Sequence, residues 1–217
     1  MKSGNFVWLL MALIVFLLGV PIADDFDLGG KVVARAFAFS TLLGIGVLSL
    51  QGGGMLFKLA MVFVIAGIVF NVFATLTYSP WPIVVSFTSI MGFLLIAIFF
   101  TFQKIARDTE ISVNRIIGAI SIYLLLGVLW AVAYTLVEIG SPGSITGLDV
   151  SASSPWDSDW LYFSFVTMTT LGYGDIVPVS AIARVLAYMQ AVFGQFYIAI
   201  LVAGLVSAYI SQKNHGR

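Results

Sequence analysis

Phe163–Pro178 reads FSFVTMTTLGYGDIVP. Its first half closes an apolar piece, Trp160–Leu171, that is too short to cross a bilayer core, which takes roughly 20 residues; Gly172 and Gly174 follow it. A non-spanning apolar segment beside glycines predicts a re-entrant loop, because irregular backbone at membrane depth persists only where protein or trapped water covers it. Uncharged apolar runs flank this stretch on both sides, Ile116–Val137 before it and Val185–Ile210 after it. Further toward the N-terminus lie four more: Phe6–Val20, Ala36–Leu50, Leu59–Thr77 and Trp81–Phe102. The second is short, and extends to near Gly30 if Lys31 and Arg35 snorkel to the interface. The expected fold is an all-α polytopic membrane protein of six transmembrane helices, with the re-entrant segment between the fifth and sixth.

Composition agrees. Of 217 residues, 60% are hydrophobic and only 9% charged, against about 25% charged in ordinary soluble domains. Such a chain has too few solvated groups to cover a globular surface, which excludes a soluble enzyme. Lys and Arg balance Asp and Glu to a formal charge of +0, so nothing points to nucleic acid as a partner. The absence of cysteine excludes disulfides, thiolate metal sites and cysteine nucleophiles. With a cytoplasmic N-terminus, the inner segments hold Lys2, Lys58, Lys104, Arg107, Arg115, Lys213 and Arg217, and the outer ones only Lys31, Arg35 and Arg184. That distribution follows the positive-inside rule and puts both termini in the cytoplasm. A cleaved signal peptide is the rival reading of the first run, with Ala23 before the cut; it changes the span count and not the remaining topology. Gly140–Ser158, rich in Gly, Ser, Pro and Asp, reads as an exposed outer turret, and Gln103–Arg115 as a short interfacial helix or a solvated connector.

Phe163–Pro178, with its aromatic non-spanning helix, Thr169–Thr170 pair, Gly-Tyr-Gly, Asp175 and Pro178, resembles the pore region of the potassium channels. The resemblance runs along Ser112–Ser211, where RIIGAISIYLLLGVLWAVAYTLVE is similar to the outer helix of small prokaryotic members and GQFYIAILVAGLV to their inner helix. It divides the chain into a four-helix N-terminal domain, 1–110, and a pore domain, 111–217. It implies a selectivity filter at Thr170, Leu171, Gly172, Tyr173 and Gly174, with K+ held by oxygens of Thr170, Leu171, Gly172 and Tyr173. An ion stripped of its hydration shell needs several oxygens on one side of the strand. Pointing successive carbonyls one way takes alternating backbone handedness, which glycine adopts cheaply. Supporting residues would be Tyr162, Phe163, Thr169 and Asp175, with the Tyr173 ring wedged behind the strand against Tyr162 and Phe163. The pore helix Asp159–Thr169 would aim its negative dipole end at the pore axis. On the inner helix the resemblance implies a hinge at Gly194, with helix packing as the alternative role and Gly204 as a rival. Pore lining then falls to Gln195, Ile198, Val202 and Val206, the last two closing the pore by dewetting.

Two departures from the family pattern stand out. Leu171 replaces the more usual valine, with its side chain facing away from the ion. Val166 stands where some members place a carboxylate behind the filter, which leaves Asp175 to accept a hydrogen bond from the Tyr162 hydroxyl instead. Between Trp81 and Phe102 there is no Lys or Arg, whereas moving one charge through the field supplies about 2.3 kcal/mol per 100 mV; arginine-based voltage sensing is therefore excluded. After Ile210 only SQKNHGR remains, too little for a regulatory ring, and His215 there reads as a solvated residue. Because Gly-Tyr-Gly occurs once, four chains must meet around an ion, which implies a homotetramer surrounded by membrane lipids, with K+ as permeant ion and no cofactor. The resemblance implies a prokaryotic plasma membrane. The alternatives are a non-selective monovalent cation channel of the same fold, a non-conducting assembly subunit, or a transporter; the lack of mid-membrane carboxylates and histidines speaks against the last.

Overall fold

The computed structural model describes residues 6–25, 54–77, 80–107, 112–148 and 158–215. They form six helices and one short two-stranded ladder: α1 (Val7–Asp25), α2 (Met55–Leu76), α3 (Pro80–Arg107), α4 (Val113–Gly140), β1 (Ile145–Thr146), α5 (Ser158–Met168), β2 (Val177–Pro178) and α6 (Ala181–His215). The expected span Ala36–Leu50 lies outside the described residues. Four helices carry stretches long and apolar enough to cross a membrane, Met55–Ala74, Trp81–Ala106, Val113–Gly140 and Ala181–Leu201, while Val7–Ile22 in α1 is apolar but shorter. The described chain is thus helical and polytopic, as its uncharged apolar runs predict.

Local chemistry explains the helix limits. Pro80 opens α3, where its missing N–H leaves no bond unmade. Ser112 caps α4, its hydroxyl accepting from the Arg115 backbone N–H at 3.3 Å. Of the Gln103–Arg115 connector, residues through Arg107 continue α3 and those from Val113 belong to α4, so the described part forms no separate interfacial helix.

Helices α1 to α4 share one apolar core. Phe6, Leu9, Leu13, Phe16 and Val20 make a single buried stripe in one cluster with Phe87, Ile90, Phe93, Leu94 and Ala97 of α3 and Leu125, Val128 and Val132 of α4, and α1 itself packs mainly on α4. A second, smaller cluster gathers Ala131 and Tyr134 of α4, Ile145, Trp160 and Phe163 of α5, Ile176 and Ala183. This second core positions the re-entrant segment. α5 packs against both α4 and α6.

Part of the segment read as a turret is ordered. The Glu138 carboxylate accepts from the Gly143 and Ile145 amides at 2.6 and 3.0 Å, fixing the turn after α4. Ile145 and Thr146 then pair antiparallel with Pro178 and Val177. Residues 149–157 of that segment lie outside the described residues.

Candidate functional site

The site begins at the end of α5. Its last turn is closed tightly: the Thr169 amide donates to Phe165 O at 2.9 Å, the Thr170 amide to Thr167 O at 3.0 Å, and the Leu171 amide to Val166 O at 3.0 Å. The Thr169 hydroxyl turns back to Phe165 O at 2.7 Å. With helix carbonyls satisfied in this way, the chain leaves the helix as an irregular segment.

Thr170, Gly172 and Gly174 have φ of 62°, 55° and 82°, while Leu171 and Tyr173 between them are not left-handed. Handedness therefore alternates residue by residue from Thr170 to Gly174. Two of the three left-handed positions are glycine, for which this costs little. The third, Thr170, is β-branched and is the only such residue with positive φ among those described. Sequence reasoning assigned the alternation to the glycines alone. Thr170 carries no sequence signal for it, because a threonine adopts that conformation only under tertiary constraint.

Behind the strand, the Tyr162 and Tyr173 rings lie parallel, their planes 7° apart and centroids 6.4 Å apart. Phe163 does not join them. It is buried against Tyr134 of α4, edge to face at 4.7 Å, so its partner is the outer helix and not Tyr173. The Tyr162 hydroxyl donates to Asp175 Oδ2 at 2.5 Å, the bond expected once Val166 replaces a carboxylate. The Ile176 amide donates to Asp175 Oδ1 at 3.0 Å. Hydrogen bonding from Tyr162, reinforced by the Ile176 amide, holds the Asp175 carboxyl below the usual aspartate range. The same bond pushes the Tyr162 hydroxyl up to about 12.

Among the candidate pore-lining residues, Gly194 is buried in the middle of α6, which runs unbroken through it. A Cβ built there would collide with the Met168 carbonyl oxygen and lie 2.8 Å from Met168 Cγ, so close packing alone already demands glycine here. Gln195 and Ile198 are exposed on α6. Val202 and Val206 fall on the same helix, with side chains outside the described residues.

Sequence reasoning missed a buried polar cluster directly behind the site. Gln190 of α6 is fully buried, accepts from the Tyr134 hydroxyl at 2.6 Å, and donates to Ser164 O and Ser164 Oγ at 2.9 and 2.7 Å. Ser164 in turn donates to Gly127 O at 2.7 Å. An uncharged glutamine inside an apolar run was the only signal available.

The faces left uncovered also bear on chemistry. Tyr173 is 69% exposed and Leu171 59%, and α6 presents Tyr188, Val192, Phe193 and Phe196 without cover in the single chain. Among the described residues no cluster of His, Cys, Asp and Glu could hold a metal ion.

Comparison with known proteins places this segment. Residues 120–211 match the family described as ion channel, a family of channels and not of enzymes. The chain is 30% identical over 89 residues to two pore potassium channel c of Oryza sativa subsp. japonica, covering 40% of this chain and 20% of the relative. It is 32% identical over 109 residues to two-pore potassium channel 2 of Arabidopsis thaliana, covering 50% and 22%. It is 30% identical over 99 residues to the inward rectifier potassium channel Kirbac3.1 of Paramagnetospirillum magnetotacticum, covering 44% and 29%. The chain thus spans less than a third of the length of each of these relatives. No solved structure gives a significant match.

Proposed function

We propose, from the match of residues 120–211 to the ion-channel family and the likeness to the potassium channels above, that this protein conducts K+ passively through a filter formed by Thr170–Gly174. The observation that carries the reading is the alternation of backbone handedness at Thr170, Gly172 and Gly174. Alternation turns successive carbonyls of Thr170, Leu171, Gly172 and Tyr173 to one side of the strand, where together with the Thr170 hydroxyl they replace water around the ion. The Leu171 side chain faces away from that row, so selectivity for K+ over Na+ is retained.

One strand supplies one side of an ion, so the conducting unit is a homotetramer around the filter axis. Support comes from the exposed Tyr173 ring and the uncovered aromatic face of α6, which neighbouring copies would bury. Inner-helix residues Gln195, Ile198, Val202 and Val206 line the pathway on the cytoplasmic side. The protein sits in a plasma membrane with both termini cytoplasmic, and opens without an arginine-bearing voltage sensor, since α3 has no basic residue between Trp81 and Phe102.

The test is the reversal potential of the purified protein in a planar bilayer with K+ on one side and Na+ on the other. A value near the potassium equilibrium potential is expected. A value near zero with clear current would replace the selective reading by a non-selective cation pore.

A further inference from the structure

We propose that Gln190 is a positioning residue for the filter: with Gly194 one turn below, it seats the pore helix α5 on the inner helix α6 and so fixes where Thr170 begins the strand. This rests on the channel reading above.

The seat has two rungs. Gln190 and Gly194 are four residues apart on α6, and their partners Ser164 and Met168 are four residues apart on α5, so each pair lies one turn from the other along its own helix. At the upper rung the contact is polar, with the Gln190 amide on Ser164 O and Oγ. At the lower rung it is steric, with Gly194 against the Met168 carbonyl. Met168 is the last residue of α5 and Thr170 is the first left-handed residue beyond it. A slip or tilt of α5 against α6 is therefore passed to the filter across a single residue.

The hydrogen-bond directions are forced. Ser164 O is a carbonyl and can only accept, so the NH2 group of Gln190 must face it. The Gln190 oxygen then faces Tyr134, whose hydroxyl donates at 2.6 Å. The second amide proton goes to Ser164 Oγ, which is free to accept because its own proton goes to Gly127 O. Each proton is used once, and the network ties α5 and α6 to α4 at two points, Gly127 and Tyr134, about two turns apart. A glutamine buried with both ends satisfied has one geometry, whereas apolar contacts of the same area tolerate sliding. In a membrane, where lipid is as apolar as leucine, such a bond selects register better than packing does.

The experiment uses the full-length assembled channel and two variants, Gln190→Leu and Tyr134→Phe. Both are measured for the sodium-to-potassium permeability ratio, for the rate of current decay as external K+ is lowered, and for the amount of assembled oligomer. Gln190→Leu is expected to raise the ratio or the decay rate on the order of tenfold, with high external K+ restoring the current, because ions in the filter oppose its collapse. Tyr134→Phe keeps Gln190 and Ser164 in place and removes one hydroxyl, so it assembles and shows the same change to a lesser degree. A potassium-selective wild type whose variants stay within about twofold in ratio and decay would overturn the seat, as would less oligomer with an unchanged ratio. A wild type that does not select for K+ would instead overturn the channel reading beneath it.

Discussion

The helices before Arg107 and the segment after Ser158 are joined to their surroundings by different forces. α1, α2 and α3 meet through apolar side chains, and most of their serine and threonine hydroxyls fold back onto their own helix, as Thr88 does to Val84 O, Ser89 to Val85 O and Thr101 to Ala97 O. One hydroxyl crosses between them, Ser86 to Gly67 O at 3.0 Å. Around Thr170–Gly174 several polar groups reach across elements instead: Gln190 to Ser164 and Tyr134, Ser164 to Gly127, and Tyr162 to Asp175. Dispersion contacts hold helices together while allowing small adjustments, whereas directed bonds hold particular atoms at particular places. A scaffold requires the first, and the proposed coordination site requires the second.

The contrast is broken most severely at the proposed filter. Gly174→Ala puts a Cβ at φ 82°, a penalty of about 1–2 kcal/mol per chain. Potassium current is expected to vanish or lose selectivity, and bilayer recording reads it directly. Tyr162→Phe removes the bond to Asp175 without altering the stacked rings; current decay is expected to quicken several-fold at low external K+, with assembly unchanged.

The pH response of this bond follows from the two shifts. Asp175 titrates below its ordinary value of about 3.9, so its contribution is present above that pH and is lost as pH falls through the lowered value. Tyr162 titrates above its ordinary value, so its contribution is complete below about pH 10 and is lost as pH rises toward about 12. Decay should therefore be flat from about pH 5 to pH 9 in the wild type. In Tyr162→Phe the Asp175 pKa rises toward its ordinary value, and acid sensitivity should appear at higher pH than in the wild type. External-pH jumps on both proteins measure it.

The smallest effect is expected in the scaffold. Ser86→Ala deletes the α2–α3 crossing bond, and such bonds in membranes average about 0.6 kcal/mol. Selectivity and decay should be unchanged, with at most a slight loss of thermal stability in detergent. A marked change in selectivity would mean that the scaffold, too, sets atomic positions in the filter.

Length, hydrophobic runs and the positions of Gly172, Gly174 and Asp175 made the helical membrane fold and the re-entrant site legible from the chain alone. Those features act locally: a run of apolar residues has one stable state in a bilayer, and glycine reports a backbone angle at its own position. The left-handed Thr170, the turn of Phe163 toward Tyr134 and the closure of Gln190 on Ser164 were decided only by the tertiary structure. Each depends on a partner many residues away, or on a strain that the surroundings enforce, and no local preference of threonine, phenylalanine or glutamine encodes it.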